Sequence, residues 1–560
     1  MISVPKRSWK ACGFGAVLLP LVALSLSPLM PPQSFWSMDE GNRFLQVVSL
    51  SGRFPGIQFS LPPRVEYPGG GLIQPEGLRE RVRPLPYQYG SYSDGVLYSQ
   101  YGPALALVSV PFFTVFGQRG IYLLPAVFSA LLGTLAAACL VKRGFSPARA
   151  LLLAATGLPL AFFGLTFWSH SLALFIALCS VRLARSGSLT GAFLLAGLAV
   201  LFRAEMLPLL VLLPFLQDSP SSPTLLRPFR SLLRAAPGAL CALVLLAAIL
   251  KLMTGQWLGT HVAASGAEVG LYGHAGMGWL PERLFVLGRS LLSALPPAFG
   301  GETVSVLLGA FLWVVWLVAL RAGEEGRLRL VLVAAGAVVS VGVCVVVTAR
   351  GLASMDLLGL KHPLVLFPVL WLARPSRRHA LEVLFLFLAL LLLLRPMHVE
   401  DLAWGLRHML LPVVLLALTA SPRIRRRGLC LVLLACFCTT ATSVGALMAK
   451  RWRSQELIGR VERAGSVLVT TSWEQPQEFS GLIAESRPVF MADRTADLAD
   501  LLESLHDDGG AGVVLLCRRQ SSSTALGVLD ALPWAEARLA FEGCRLDPLL
   551  DLLGFEVRFD

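Results

Sequence analysis

The chain has 560 residues, of which 55% are hydrophobic and only 15% charged, and its mean hydropathy is +0.67. An ordinary soluble domain is about a quarter charged, so this composition excludes a water-soluble protein throughout its length. The net charge of +13 sits in short loops between apolar runs, as topology determinants do, and points to a bilayer rather than to nucleic acid.

Apolar runs recur from residue 11 to residue 448, each of roughly 18 or more residues and so long enough to span hydrocarbon. Lys6, Arg7 and Lys10 precede the first, at 11–30. It resembles a signal peptide, but Pro31-Pro32-Gln33-Ser34 is a poor small-residue cleavage site. It is therefore read as a retained first span with its N-terminus inside. Basic clusters then alternate with the runs: Lys142, Arg143 and Arg149; Arg182 and Arg185; Arg227, Arg230 and Arg234; Arg321, Arg327 and Arg329; Arg374, Arg377 and Arg378; Arg423, Arg425, Arg426 and Arg427. Placing all of them in the cytoplasm gives about 13 spans and an external C-terminus. The short run 103–117 fits only as an interfacial or re-entrant helix, because counting it as a span inverts every later loop.

This threading puts the loop 31–102 outside, with the Trp168-Ser169-His170 turn, the segments 254–301, 350–362 and 395–408, and the tail after Lys450. All eight histidines except His379 fall outside or at the outer boundary. That grouping suits a polar site on that face, although loops hold more polar residues in any case.

The ten cysteines contain no CxxC pair. Most lie in apolar runs as small buried hydrophobes; Cys517 and Cys544 fall in the tail, where an oxidising compartment permits pairing. Past Lys450 the periodicity changes. Ser466-Val467-Leu468-Val469-Thr470, Pro488-Val489-Phe490-Met491 and Gly512-Val513-Val514-Leu515-Leu516 read as strands, with helices near 496–506 and 523–532. The expectation is a small α/β domain at 451–560 following a membrane domain at 1–450. Asp508-Gly509-Gly510-Ala511-Gly512 follows a helix and precedes a strand, the wrong order for a nucleotide loop.

Five polar features stand out. Met38-Asp39-Glu40-Gly41-Asn42-Arg43 follows the first span, with Arg43 one helical turn beyond both carboxylates. Either the acids cap an interfacial helix, or apolar surroundings tune one for general-base work; spacing does not choose. Tyr98-Ser99-Gln100-Tyr101-Gly102-Pro103 opens the short run ending at Phe116-Gly117. Phe167-Trp168-Ser169-His170 closes the outer end of a span. In Gly197-Leu198-Ala199-Val200-Leu201-Phe202-Arg203-Ala204-Glu205 a charged pair interrupts an apolar run, at a cost of roughly 2.5–3.5 kcal/mol each if unpaired in lipid. Arg203 and Glu205 must therefore face a polar cavity or each other. Trp404-Gly405-Leu406-Arg407-His408-Met409-Leu410-Leu411-Pro412 opens a late span from outside.

In this order the five resemble the GT-C superfamily of integral-membrane glycosyltransferases, especially bacterial relatives of protein O-mannosyltransferases and aminoarabinose transferases. The resemblance covers residues 10–450. It departs from the family at Ser169-His170, where many relatives carry an acidic residue, and in the longer Gly- and Pro-rich stretch 67–86. It implies a mainly α, polytopic GT-C-type membrane protein with a small C-terminal α/β extracytoplasmic domain, in the cell inner (plasma) membrane. The implied activity is inverting transfer of a sugar from a polyprenyl-phosphate donor to an acceptor hydroxyl on a lipid, polysaccharide or protein, at the extracytoplasmic face.

Such transfer needs a base for the acceptor proton and cations for the departing phosphate. With that resemblance Asp39 is read as the base, with Glu40 as its partner or substitute, and Arg203 and Arg407 as donor-phosphate residues, since a fork of donors suits it. His408 and Lys361 join the phosphate set. Arg43, Tyr101, His170 and Glu205 complete the candidates, with structural roles as the alternative for His408, His170 and Lys361. No cofactor is expected: Asp39, Glu40 and the external histidines offer atoms to a divalent ion, but nothing has metal-ligand spacing. A lipid-linked glycan ligase or polymerase and a lipid or solute transporter are the competing classes. The first does not need the early carboxylate pair; the second predicts inverted repeats or paired broken helices.

Overall fold

The computed structural model describes residues 34–51, 104–216, 301–322, 326–349, 362–393, 409–471, 489–507, 512–542 and 552–559, apart from a few positions, and short segments between 59 and 99, at 237–251 and at 481. The chain divides into two compact units. One comprises Met1–Ser27, Tyr122–Ile249 and Glu268–Ala446; the other comprises Pro28–Ile121, Leu250–Ala267 and Leu447–Asp560.

In chain order, helix α1 (Met38–Val48) comes first. Short strands follow: β1 (Phe59–Ser60), β2 (Val65–Glu66), β3 (Leu72–Ile73), β4 (Arg83–Pro84), β5 (Gly90–Ser93) and β6 (Val96–Ser99). Helix α2 (Ala104–Phe116) occupies the short run 103–117, and it continues through a 3-10 turn, Gly117–Tyr122, into α3 (Leu123–Lys142). Next come α4 (Pro147–Gly157), α5 (Leu160–Gly164), α6 (His170–Arg185), α7 (Leu189–Phe202) and α8 (Leu207–Leu212). After these lie α9 (Gly301–Arg321), α10 (Arg327–Ala349), α11 (Pro363–Leu366), α12 (Arg377–Leu393), α13 (Leu410–Ala417) and α14 (Arg426–Ala464).

By length and composition, four helical stretches among the described residues suffice to cross a bilayer: Ala104–Lys142, Thr303–Arg321, Arg327–Val346 and Arg426–Arg463. The protein is a multi-pass membrane protein. Helix α9 shows why at the level of side chains. Leu307, Phe311, Val314 and Val318 form an outward stripe that is 65%, 60%, 58% and 43% exposed, while Leu312, Trp316 and Ala319 are buried. A helix apolar on both faces belongs in lipid.

On the buried side, irregular backbone is satisfied by indoles. Trp316 Nε1 donates to the Leu370 carbonyl at 2.8 Å, and Trp371 Nε1 to that of Leu364 at 3.1 Å. These serve α11 and the 3-10 turn Pro368–Leu372, where lipid offers no partner for a free carbonyl. Gly336 lets the Trp371 ring in: a Cβ there would lie 2.1 Å from Trp371 Cε2.

Three of the loop arginines make defined contacts within this unit. Glu382 accepts from Arg185 at 2.9 Å and from Arg378 at 3.2 Å. Arg374 donates through its guanidinium to the Leu320 and Ala322 carbonyls, closing the C-terminus of α9 where a cation is favoured. Its backbone N–H bonds the Thr419 carbonyl at 3.0 Å, and Gly144 lies against Pro422. The segments around 320–322, 374 and 419 therefore meet, as do those around 144 and 422. Gly144 and Gly187 end α3 and α6 with φ of 101° and 91°, left-handed caps that residues with a Cβ rarely adopt.

The second unit contains the sheet. Past α14 lie β7 (Leu468–Thr470), β8 (Val489–Met491), helix α15 (Thr495–Asp507), β9 (Gly512–Arg518), helix α16 (Ser522–Asp530), β10 (Ala535–Glu542) and β11 (Leu552–Phe559). The sheet order is β10-β11-β9-β7-β8-β4. Strands β8, β7 and β9 are parallel, with α15 crossing between β8 and β9; β11 and β10 add antiparallel. Arg83 and Pro84, some 400 residues earlier in the chain, pair with Met491 and Phe490 at the β8 edge.

One sheet face buries Val467, Val469, Val513 and Leu515 under Leu498, Leu501, Leu502 and Leu505 of α15 and Val528 and Leu529 of α16. The opposite face buries Leu468, Val514, Leu516 and Leu552 under Leu457, Ile458 and Val461 of α14. The helix thus does not stop at Lys450, where the sequence turns polar. Its last turns keep an apolar stripe at i, i+1 and i+4, which the sheet needs as a cover. Cys517 is a free, buried thiol in β9, and Cys544 lies outside the described residues.

Candidate functional site

Helix α1 starts on a capping pattern, Ser37-x-x-Glu40. The Glu40 N–H donates to Ser37 Oγ at 3.3 Å and to the Ser37 carbonyl at 3.1 Å. Asp39 and Glu40 occupy the first turn, where negative charge suits the helix dipole. Capping therefore accounts for one half of the sequence reading.

It does not account for the burial. Asp39, Asn42, Arg43 and Gln46 follow one another at i, i+3, i+4 and i+7, a single stripe, and are 5%, 3%, 5% and 5% exposed; Glu40 is 0% exposed. An interfacial helix offers such a stripe to water. Here it is enclosed in protein, where every charge and amide needs a partner, and each of these residues has hydrogen-bonding or electrostatic contacts. The apolar stripe packs Phe44 against Phe35, with ring centroids 5.0 Å apart, and edge-on to Phe113 of α2 at 5.9 Å. Asn42 and Gln46 are members of the stripe that the sequence reading missed, although their spacing from Asp39 marks them.

In the other unit, Arg203 and Glu205 break a helix. Arg203 closes α7 with its N–H on the Ala199 carbonyl at 2.9 Å, then takes an extended backbone, φ −151° and ψ 114°. The 3-10 turn Ala204–Met206 leads into α8. Arg203 Nε donates to Glu205 Oε2 at 3.1 Å, and Nη2 pairs with Oε1. The two side chains are 8% and 12% exposed. Of the two options the sequence left, the pair takes the second: they face each other.

The turn before α6 meets this break. Ser169 Oγ donates to the Phe202 carbonyl at 2.9 Å. His170 opens α6 with its ring stacked on Phe163, centroids 4.7 Å apart and planes 29° apart, and tilted against Trp168 at 5.1 Å. Below it, the hydroxyls of Ser129 and Ser171 bond at 2.6 Å. Thr166, Ser169, His170 and Ser171 are all buried. The third and fourth sequence features thus meet through the Ser169–Phe202 contact, in otherwise apolar protein.

Among the ten candidates, the structure brings together Asp39, Glu40 and Arg43 in one unit and His170, Arg203 and Glu205 in the other. Tyr101, Lys361, Arg407 and His408 lie outside the described residues. Among the described residues, no group of three or more His, Cys, Asp or Glu side chains is arranged to hold a metal ion.

No protein-family model matches the chain, and no curated protein does. Among solved structures it is similar to a crystal structure of ArnT from Cupriavidus metallidurans in the apo state. That likeness covers 96% of this chain and 97% of the other, at 13% sequence identity and a TM-score of 0.41.

Proposed function

We propose that the protein is an integral-membrane glycosyltransferase of GT-C type, which transfers a sugar from a polyprenyl-phosphate donor to an acceptor hydroxyl at the extracytoplasmic face. The observation that carries this reading is the enclosed carboxylate stripe of α1 directly after the first apolar run. Insertion does not require it and a cap does not need it buried. In the proposed reaction Asp39 takes the acceptor proton as the hydroxyl attacks the anomeric carbon, with inversion, and the C–O bond to the phosphate breaks. Glu40 and Arg43 hold Asp39 in place. Arg203 and Arg407 are assigned the charge of the departing phosphate, with Lys361, His408 and His170 as further members of that set; Tyr101 completes the candidates. No metal is invoked.

The reading places the N-terminus in the cytoplasm, the C-terminal α/β domain outside, and the protein in a bacterial inner membrane. The test replaces Asp39 by Asn and compares glycolipids and glycoproteins by mass spectrometry in cells carrying either form. A normal product pattern with normal protein level removes Asp39 as base. One observation also suits a carrier of anionic lipids: the helix break at Arg203, since carriers bind substrate at broken helices. Flipping of a polyprenyl phosphate in vesicles without any sugar transfer favours that second reading.

A further inference from the structure

We infer that Ser169 is a positioning residue for the donor phosphate, acting through Arg203 by holding open the helix break that presents it. This rests on the assignment of Arg203 to the phosphate in the proposed function.

In an unbroken helix the Phe202 carbonyl accepts the N–H of Met206, four residues on. Here that N–H goes to the Arg203 carbonyl at 3.0 Å instead, and Phe202 loses its helical partner. In this part-buried, apolar setting an unpaired carbonyl is costly. Ser169 Oγ, 33 residues earlier, supplies the missing donor at 2.9 Å. The hydroxyl therefore stabilises the broken state relative to the continuous helix.

The break decides what Arg203 can do. With an extended backbone at Arg203 and a tight turn behind it, Glu205 reaches the Nε–Nη2 edge of the guanidinium. A guanidinium has two such edges, so the terminal Nη1–Nη2 edge is the one kept for an incoming anion. Glu205 offsets the charge while no phosphate is present, and it fixes the plane in which the second fork lies. In a continuous helix, residues two apart point in directions about 200° apart, and this pairing is lost. At the site where relatives carry an acidic residue, this chain thus has a hydroxyl with a defined backbone task.

The test measures binding of polyprenyl monophosphate to the purified full-length protein in detergent. Ser169→Ala is expected to weaken binding about five- to tenfold, the size of one lost buried hydrogen bond. Ser169→Thr, which keeps the hydroxyl, is expected to bind like the wild type. In an Arg203→Ala background, Ser169→Ala is expected to cost nothing further. An equal loss in both backgrounds overturns the inference, because Ser169 then acts on structure alone. If Ser169→Ala is too unstable to purify, Ser169→Cys replaces it, and wild-type binding by that variant also overturns the inference. Failure of the underlying reading is distinct: Arg203→Ala itself then binds polyprenyl monophosphate normally.

Discussion

Arg203 and Glu205 share two hydrogen-bonding contacts across a single intervening residue, Ala204. The pair is almost enclosed, so its members are not interchangeable with a surface salt bridge. Removing one partner of a buried pair strands the other and costs about 3–5 kcal/mol, whereas replacing both by apolar residues is far milder. We predict that Glu205→Leu lowers the thermal midpoint in detergent markedly. The double variant Arg203→Leu with Glu205→Leu recovers most of that stability while losing donor binding. A double variant no more stable than the single one contradicts this.

Ser37 caps α1 by accepting the Glu40 N–H. Ser37→Ala is predicted to cost about 1 kcal/mol and Ser37→Gly only a few tenths. Thermal unfolding of the two variants checks the order; no loss on Ser37→Ala would show that the hydroxyl does not serve as the cap.

Gly336 admits the Trp371 ring, and the ring is itself 2% exposed, with no room to retreat. Gly336→Ala is predicted to destabilise by about 1–3 kcal/mol through overpacking. This occurs even though alanine is the better helix former. A stability gain in a detergent melt would show the packing to be looser than described.

Burial pushes the Cys517 thiol up to about 11. The folded form thus holds its proton at a pH where the unfolded chain, titrating near 9.0, has released it. Stability from this group is complete below pH 9 and falls as the pH climbs from 9 towards 11. Maleimide labelling of Cys517, with the other cysteines replaced, is expected to be slow at pH 7.5 and fast only on unfolding. Rapid labelling of the folded protein contradicts it.

Much of the architecture was legible because the signals are local. The strands at Leu468–Thr470, Val489–Met491 and Gly512–Arg518 are short apolar runs between turns, and a reader of periodicity finds them. The extent of α14 was not legible. Its last turns look polar after Lys450, and only the sheet face that Leu457, Ile458 and Val461 cover explains why the helix persists. The charged interruption at Arg203 and Glu205 was visible as a cost without a resolution. That it ends a helix, and that Ser169 repairs the break, depends on a contact between residues 33 positions apart. The stripe of Asp39, Arg43 and Gln46 was half seen: spacing shows a face, but burial alone distinguishes an enclosed face from a wet one.

The sheet at the end of the chain borrows from elsewhere at two places: Arg83 and Pro84 at one edge, and the last turns of α14 across one face. It is consequently no detachable cassette. Expressed from residue 465 onward, it would present Val514, Leu516 and Leu552 bare to water and invite self-association. Cut away, it would leave Leu457, Ile458 and Val461 uncovered and the segment around 83 without its neighbour strand. A truncation placed between Val461 and Leu468 therefore severs a folding unit, whereas one at Lys450 keeps the α14 cover with the sheet but still removes the edge pairing at Arg83 and Pro84.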